Sequence, residues 1–158
     1  MKDPYINELN TVFNGIYDSI LRLESQLLLE SGQNLSISEL HILESIWLRS
    51  ADGCSISDLA QEHLVTLPSM TNAIKKLEKK DFVTKARSET DGRVVYVALS
   101  ETGEKINSMH QYFHERMIRA FIRGVDEKEK PILLSALKNM STFIKHQLEI
   151  SESKTVKL

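Results

Sequence analysis

Residues 54–100 read CSISDLAQEHLVTLPSMTNAIKKLEKKDFVTKARSETDGRVVYVALS, and the order of signals in this stretch decides the fold. Ser57 is placed to cap a short helix from Asp58 to Leu64. After a break at Val65-Thr66 a longer helix runs from Leu67 to Lys80, and two short helices joined by a tight turn make a helix-turn-helix. Phe82 to Ala86 and Val94 to Leu99 are rich in β-formers, the second alternating between two faces. The polar run Arg87-Ser88-Glu89-Thr90-Asp91-Gly92 joins them as a hairpin, or wing. The expected class is mainly α with a small β-wing: a winged helix-turn-helix with long dimerisation helices at both ends.

On the helix from Leu67 to Lys80, helical spacing puts Met70, Ala73, Ile74 and Leu77 on one face and leaves Ser69, Asn72, Lys75, Lys76 and Lys79 largely on the other. The polar face is the one expected to enter a DNA groove. Its first turn, with Thr66, Ser69 and Thr71, offers hydroxyls and free backbone N–H groups to phosphate at the positive end of the helix dipole. Asn72 and Lys76 suit base edges, since Asn pairs bidentately with adenine and Lys donates to guanine. In the wing, Arg93 suits a narrow minor groove, Asp91 is expected to hold it by a charged hydrogen bond, and Arg87 is expected on the backbone. A solvated helix face and a surface ion pair are the bland alternatives.

Charge placement agrees with the groove reading although the chain carries a net −2. Between Leu67 and Leu99 seven Lys and Arg face four Asp and Glu, giving +3 there and −5 elsewhere. A basic centre between acidic flanks localises attraction to phosphate.

Outward from this unit, Leu9, Phe13, Ile16, Ile20, Leu23 and Leu27 form the apolar stripe of a long first helix. Ser36 with Glu39 is a capping box opening a second helix through Leu40, Leu43, Ile46 and Trp47, stopped near Ala51-Asp52-Gly53. Ser100 caps a helix with the stripe Ile106, Met109, Phe113, Met117 and Phe121, which Gly124 ends. Asp126 and Glu129 open a last helix with Leu133, Leu137, Met140, Ile144 and Leu148 inward, although Pro131 sits deep for a first-turn proline. The expected organisation is dimerisation helices over 1–35 and 101–150, a winged helix-turn-helix over 36–100, and a flexible tail over 151–158. The small reading unit offers too little surface to cover three long stripes, so a homodimer is expected. Its two copies would meet a pseudo-palindromic operator in double-stranded DNA at a separation of about 34 Å.

The single cysteine, Cys54, forms no internal disulfide, no apolar run approaches a membrane span, and the start MKDPYINELN lacks a signal-peptide layout. A cytoplasmic protein without membrane contact is expected. Cys54 is read as packing, since reactivity needs access and a lowered pKa. No phosphate-cradling glycine loop, nucleophile elbow or catalytic constellation is present, so the chain is not read as an enzyme and no cofactor is expected.

The run from Ser55 through Lys105, SISDLAQEHLVTLPSMTNAIKKLEKKDFVTKARSETDGRVVYVALSETGEK, resembles the reading unit of the MarR family of bacterial regulators, and the flanking helices extend the likeness over nearly the whole chain. The resemblance implies a helical homodimer, usually a repressor, whose DNA affinity changes when an effector binds near the junction of dimerisation and reading regions. The family's wing Asp and Arg correspond to Asp91 and Arg93, while Gly92 stands where many members carry a second arginine. The segments LVTLPSMTNAIKKLE, RSETDGRVVYVALS and MHQYFHERM are similar to the FabT-like repressors of fatty-acid synthesis genes, which respond to acyl-acyl carrier protein. An acyl chain or other small apolar effector needs an apolar tunnel, for which Phe13, Ile16, Tyr17, Met109, Phe113 and Met117 are the candidates; ordinary dimer core is the alternative.

Zinc is the rival signal. His110 and His114 lie one helical turn apart, with His41 and Glu24 as further ligands. Zinc-sensing members of the family use a His pair, a His and a Glu on the corresponding helices. This chain departs from them in lacking a cysteine near the end of the first helix and in carrying Leu40, not a carboxylate, before His41. A third reading keeps the winged helix but uses it as a protein-interaction module.

Overall fold

Side-chain caps set where the helices of the reading unit begin. The computed structural model describes residues 3–51 and 53–155. In chain order the elements are α1 (Pro4–Glu30), α2 (Ile37–Leu48), β1 (Cys54–Ser55), α3 (Ile56–Glu62), α4 (Leu67–Lys79), β2 (Val83–Arg87), β3 (Val95–Leu99), α5 (Glu101–Phe121) and α6 (Lys130–Thr155). The Ser36–Glu39 capping box forms as expected, Ser36 Oγ accepting from the Glu39 N–H at 3.2 Å while the Glu39 carboxylate accepts from the Ser36 N–H at 2.9 Å.

At α3 the structure corrects the sequence reading: the cap is Ser55, not Ser57, and the helix spans Ile56–Glu62 rather than Asp58 to Leu64. The reason is reciprocity. A box needs its acid three residues after the cap, and Asp58 stands at that distance from Ser55, whose N–H it accepts at 3.2 Å. The helix then stops early because Leu64 turns left-handed, with φ +56. Thr66 caps α4 with Pro68 in its first turn, and Lys80 closes it as the C-cap. The strands start one residue later than expected, and Phe82 packs in the core instead of opening β2.

The chain packs as two compact units, one ending at Tyr112 and the other beginning at Phe113. In the first, the antiparallel sheet has the order β1-β3-β2, with Cys54 opposite Val97 and Lys85 opposite Val97 on the other side. Leu40, Leu43, Ile46, Leu59, Met70, Ile74, Leu77, Phe82 and Val97 form its core, joined by Leu28 of α1 and Ile106 of α5. Each such side chain stabilises the unit by about 1.5–3 kcal/mol. Along α1 only Glu24 and Leu28 are buried, so Leu9, Phe13 and Ile16 of the expected stripe remain exposed.

In the second unit α6 begins at Lys130 rather than Asp126. Asp126 to Glu129 form a turn, which puts Pro131 in the first helical turn, where its missing N–H costs nothing. Of the stripe expected to point inward, Leu137, Ile144 and Leu148 are exposed in the chain alone. Residues 151–155, assigned above to a tail, are helical, and 156–158 lie outside the described residues, as does Asp52 of the α2 stop. Among the described residues no helix is long and apolar enough to cross a membrane.

Candidate nucleic-acid interface

Packing divides α4 as the sequence spacing requires. Met70, Ile74 and Leu77 are at most 1% exposed, whereas Ser69, Asn72, Lys75, Lys76 and Lys79 face solvent. Thr66 Oγ1 accepts the Ser69 N–H at 3.3 Å and lies 2.9 Å from Ser69 Oγ, so both hydroxyls sit together at the helix start. Thr71 is less available: half-buried, it donates its hydroxyl proton to the Leu67 carbonyl at 2.7 Å.

Ion pairing sorts the cations further. Lys80 is bound to Glu39 at 2.8 Å and Lys85 to Glu78 at 2.7 Å, so their charge is largely compensated within the fold. Burial alone would raise the pKa of Glu39; the Lys80 hydrogen bond and charge, with the Ser36 N–H, outweigh it and hold the carboxyl below its ordinary value. Among the described residues no ion pair engages Lys75, Lys76, Lys79, Arg87 or Arg93. Between Leu67 and Leu99 the uncompensated positive charge therefore lies on the outer face of α4 and on the wing.

The wing tip corrects a second expectation. Asp91 does not pin the Arg93 guanidinium; its carboxylate accepts the Arg93 backbone N–H at 3.0 Å, an Asx-type turn that is nearer to hand than the end of a long side chain. Ser88 Oγ accepts from Asp91 N–H at 3.2 Å, and Ser88 N–H donates to the Val94 carbonyl at 3.0 Å. Asp91 thus shapes the tip and leaves the exposed Arg93 side chain to reach outward. Arg87, at the end of β2, is exposed as well.

Away from this face, three of the four predicted metal ligands come together. Glu24 and His110 are buried and His41 half-buried, with ligand atoms of the three within 4.8 Å of one another. Glu24 Oε1 lies 3.3 Å from His110 Nε2, and Glu24 Oε2 lies 3.7 Å from His41 Nε2. One carboxylate and two imidazoles are a donor set that zinc accepts. His114 belongs to the second unit. Sequence reading missed Glu44, whose Oε2 is 3.9 Å from His110 Nδ1; its place three residues after His41 on α2 was the available signal.

Of the proposed effector residues, Phe13, Ile16, Tyr17 and Met109 are exposed in the first unit, while Phe113 and Met117 are half-buried in the second. Cys54 is 1% exposed, and burial pushes its thiol up to about 11, which agrees with packing rather than reactivity.

A buried three-helix core, an exposed basic helix and a two-stranded wing define a winged helix-turn-helix regulator. A model of the transcriptional regulator SarA/Rot family matches residues 27–109, more than half of the chain, and the protein belongs to that family, with the MarR-like fold that the sequence resemblance implied. Its structure is similar to Streptococcus pneumoniae FabT in complex with DNA, with a TM-score of 0.78 and 29% identity, covering 89% of this chain and 98% of that one. A Staphylococcus aureus MepR–DNA complex, at 20% identity and a TM-score of 0.68 over 84% of this chain and 96% of its own, shares the fold. The Bacillus subtilis HTH-type transcriptional regulator YwaE is 28% identical over 89% of this chain and 85% of its own length. Staphylococcus aureus SarZ, another such regulator, is 28% identical over 63% and 64%.

Proposed function

We propose that this chain is a homodimeric, sequence-specific DNA-binding repressor acting in the cytoplasm, by binding and not by catalysis. The observation that carries the reading is the uncompensated strip Asn72, Lys75, Lys76 and Lys79 on the exposed face of α4, in one compact unit with the wing's Arg93. α4 supplies groove recognition with Thr66 and Ser69 on phosphate, and Arg93 enters the minor groove. The uncovered apolar residues of α1 and α6 are what a second copy would bury. Selection of duplexes from a random pool is expected to yield a pseudo-palindromic operator, and Arg93→Ala is expected to weaken its binding at least tenfold. Recovery of no enriched duplex, or unchanged affinity in that variant, contradicts the reading.

The FabT-like resemblance of the sequence makes fatty-acid synthesis genes the candidate targets and an acyl chain on acyl carrier protein the candidate effector, with Phe13, Ile16, Tyr17 and Met109 as the first unit's candidates to receive it. Native mass spectrometry with acyl-acyl carrier protein, read beside operator binding, tests this branch; no complex and no change in affinity would remove it. A zinc-responsive regulator is the second reading, favoured by the convergence of Glu24, His41 and His110. Those three residues would hold a zinc ion whose charge joins α1, α2 and α5. Calorimetric titration with zinc is expected to show one site per chain that is lost in His110→Ala, and absence of binding ends this reading.

A further inference from the structure

Among the described residues Lys80 is the one lysine at the C-terminal end of α4 that is ion-paired; Lys75, Lys76 and Lys79 are not. Its Nζ donates to both oxygens of Glu39, at 2.8 and 2.9 Å, and the two side chains are 27% and 14% exposed. A bidentate, partly desolvated pair of this kind holds geometry better than a surface pair. Glu39 is itself fixed by the capping box at the start of α2, so the end of α4 is tied to an element 41 residues away.

The next residues add a second tie. Asp81 is left-handed at φ +63, and its carbonyl accepts the Ser100 hydroxyl at 2.5 Å. The Phe82 carbonyl accepts the Ser100 N–H at 3.0 Å, and Gly103 of α5 packs against that same carbonyl. The opposite end of α4 carries its local Thr66–Ser69 cap, both residues exposed, and is seated on the core by Met70. α4 is therefore held along its length by its buried face and is tied in addition at its C-terminal end to α2 and α5. Thirteen residues span roughly 20 Å, so a tilt of about 5° at the anchor moves the far end by roughly 2 Å. Hydrogen bonds to bases tolerate only a few tenths of an ångström.

We propose that Glu39 is a positioning residue for DNA recognition: acting through Lys80, it sets the orientation of α4, and Lys80 makes no phosphate contact. This rests on the reading that α4 enters the groove.

The test is equilibrium binding of the selected operator over a range of salt for the wild type, Glu39→Gln, Lys80→Met, the double variant and Lys79→Met. Gln keeps the capping box, so Glu39→Gln should melt near the wild-type temperature. Its affinity is expected to fall roughly fivefold. Lys80→Met should fall alike with an unchanged salt slope, and the double variant should be no weaker than either single one. Lys79→Met should instead flatten the slope by about one. Wild-type affinity in Glu39→Gln overturns the proposal, and that result stands even if Lys80→Met does not fold. A slope flattened in Lys80→Met while Glu39→Gln binds normally makes Lys80 a phosphate contact and also overturns it. A wild type that binds no duplex overturns the DNA reading as well, which separates the two failures.

Discussion

α4 and α6 both carry apolar stripes at helical spacing, yet they meet opposite fates in the chain alone. The α4 stripe is sealed, with Met70, Ile74 and Leu77 at most 1% exposed, whereas Leu137, Ile144 and Leu148 of α6 are 41–47% exposed. The first half of α1 behaves like α6, with Leu9, Phe13 and Ile16 at 43–49%. The first unit closes its own core, while α1 and α6 leave apolar residues exposed. The proposed recognition face is thus set by one unit's local packing, and the proposed association would use stripes that its own chain leaves open, which makes it concentration-dependent.

The severest way to break the closed half is at Gly103. A Cβ there would stand 2.0 Å from the Phe82 carbonyl oxygen, backbone against backbone, with no flexible side chain to yield. Gly103→Ala is expected to destabilise the unit by about 3 kcal/mol or more, read as a lowered denaturation midpoint; a wild-type midpoint would mean that α5 and Phe82, just before β2, are not in this contact. Leu43→Ala, in a fully buried site, should cost about 2–5 kcal/mol by the same measurement.

For the open half the readout is association rather than folding. Phe13→Asp with Ile16→Asp should convert the dimer to a monomer in sedimentation velocity while the helical signal is largely kept. A variant that remains dimeric would move the interface off this face of α1.

The smallest effects lie in the caps. Ser55→Ala should cost about 1 kcal/mol, whereas Ser57→Ala should be nearly silent. The Ser55 hydrogen bond holds Asp58 below the ordinary carboxyl range. Burial would raise Glu62, but Ser45 and Arg49 outweigh it and lower it too. Both folded pKa values lie below the unfolded ones, so their stabilisation is complete above the ordinary values of 3.8 and 4.5 and is lost as pH falls through the folded values. Acid denaturation of Ser55→Ala should accordingly show a weaker dependence on pH in that range.

The exposed polar side of α4, the wing and the Ser36–Glu39 box were legible because each is written in local spacing that the core then enforces. The α3 cap was misplaced because two serines compete for one acid, and only the position of Asp58 three residues after Ser55 chooses between them. Asp91 was assigned to the wrong group of Arg93: sequence shows that two residues are near, not which atom the turn brings closer. Lys80–Glu39 and His110–Glu44 join segments 41 and 66 residues apart, and no periodicity encodes such tertiary pairs. The convergence of Glu24, His41 and His110 was found from residue type and family resemblance together, while their mutual distances required the packed unit.

Salt dependence of operator binding puts the exposed lysine strip to the test. Log affinity of the wild type against log salt should fall steeply, and Lys76→Ala should flatten that slope by about one, as removal of one phosphate or base-edge cation requires. A wild-type slope near zero, or a Lys76→Ala slope equal to the wild type's at equal affinity, would contradict recognition through the outer face of α4.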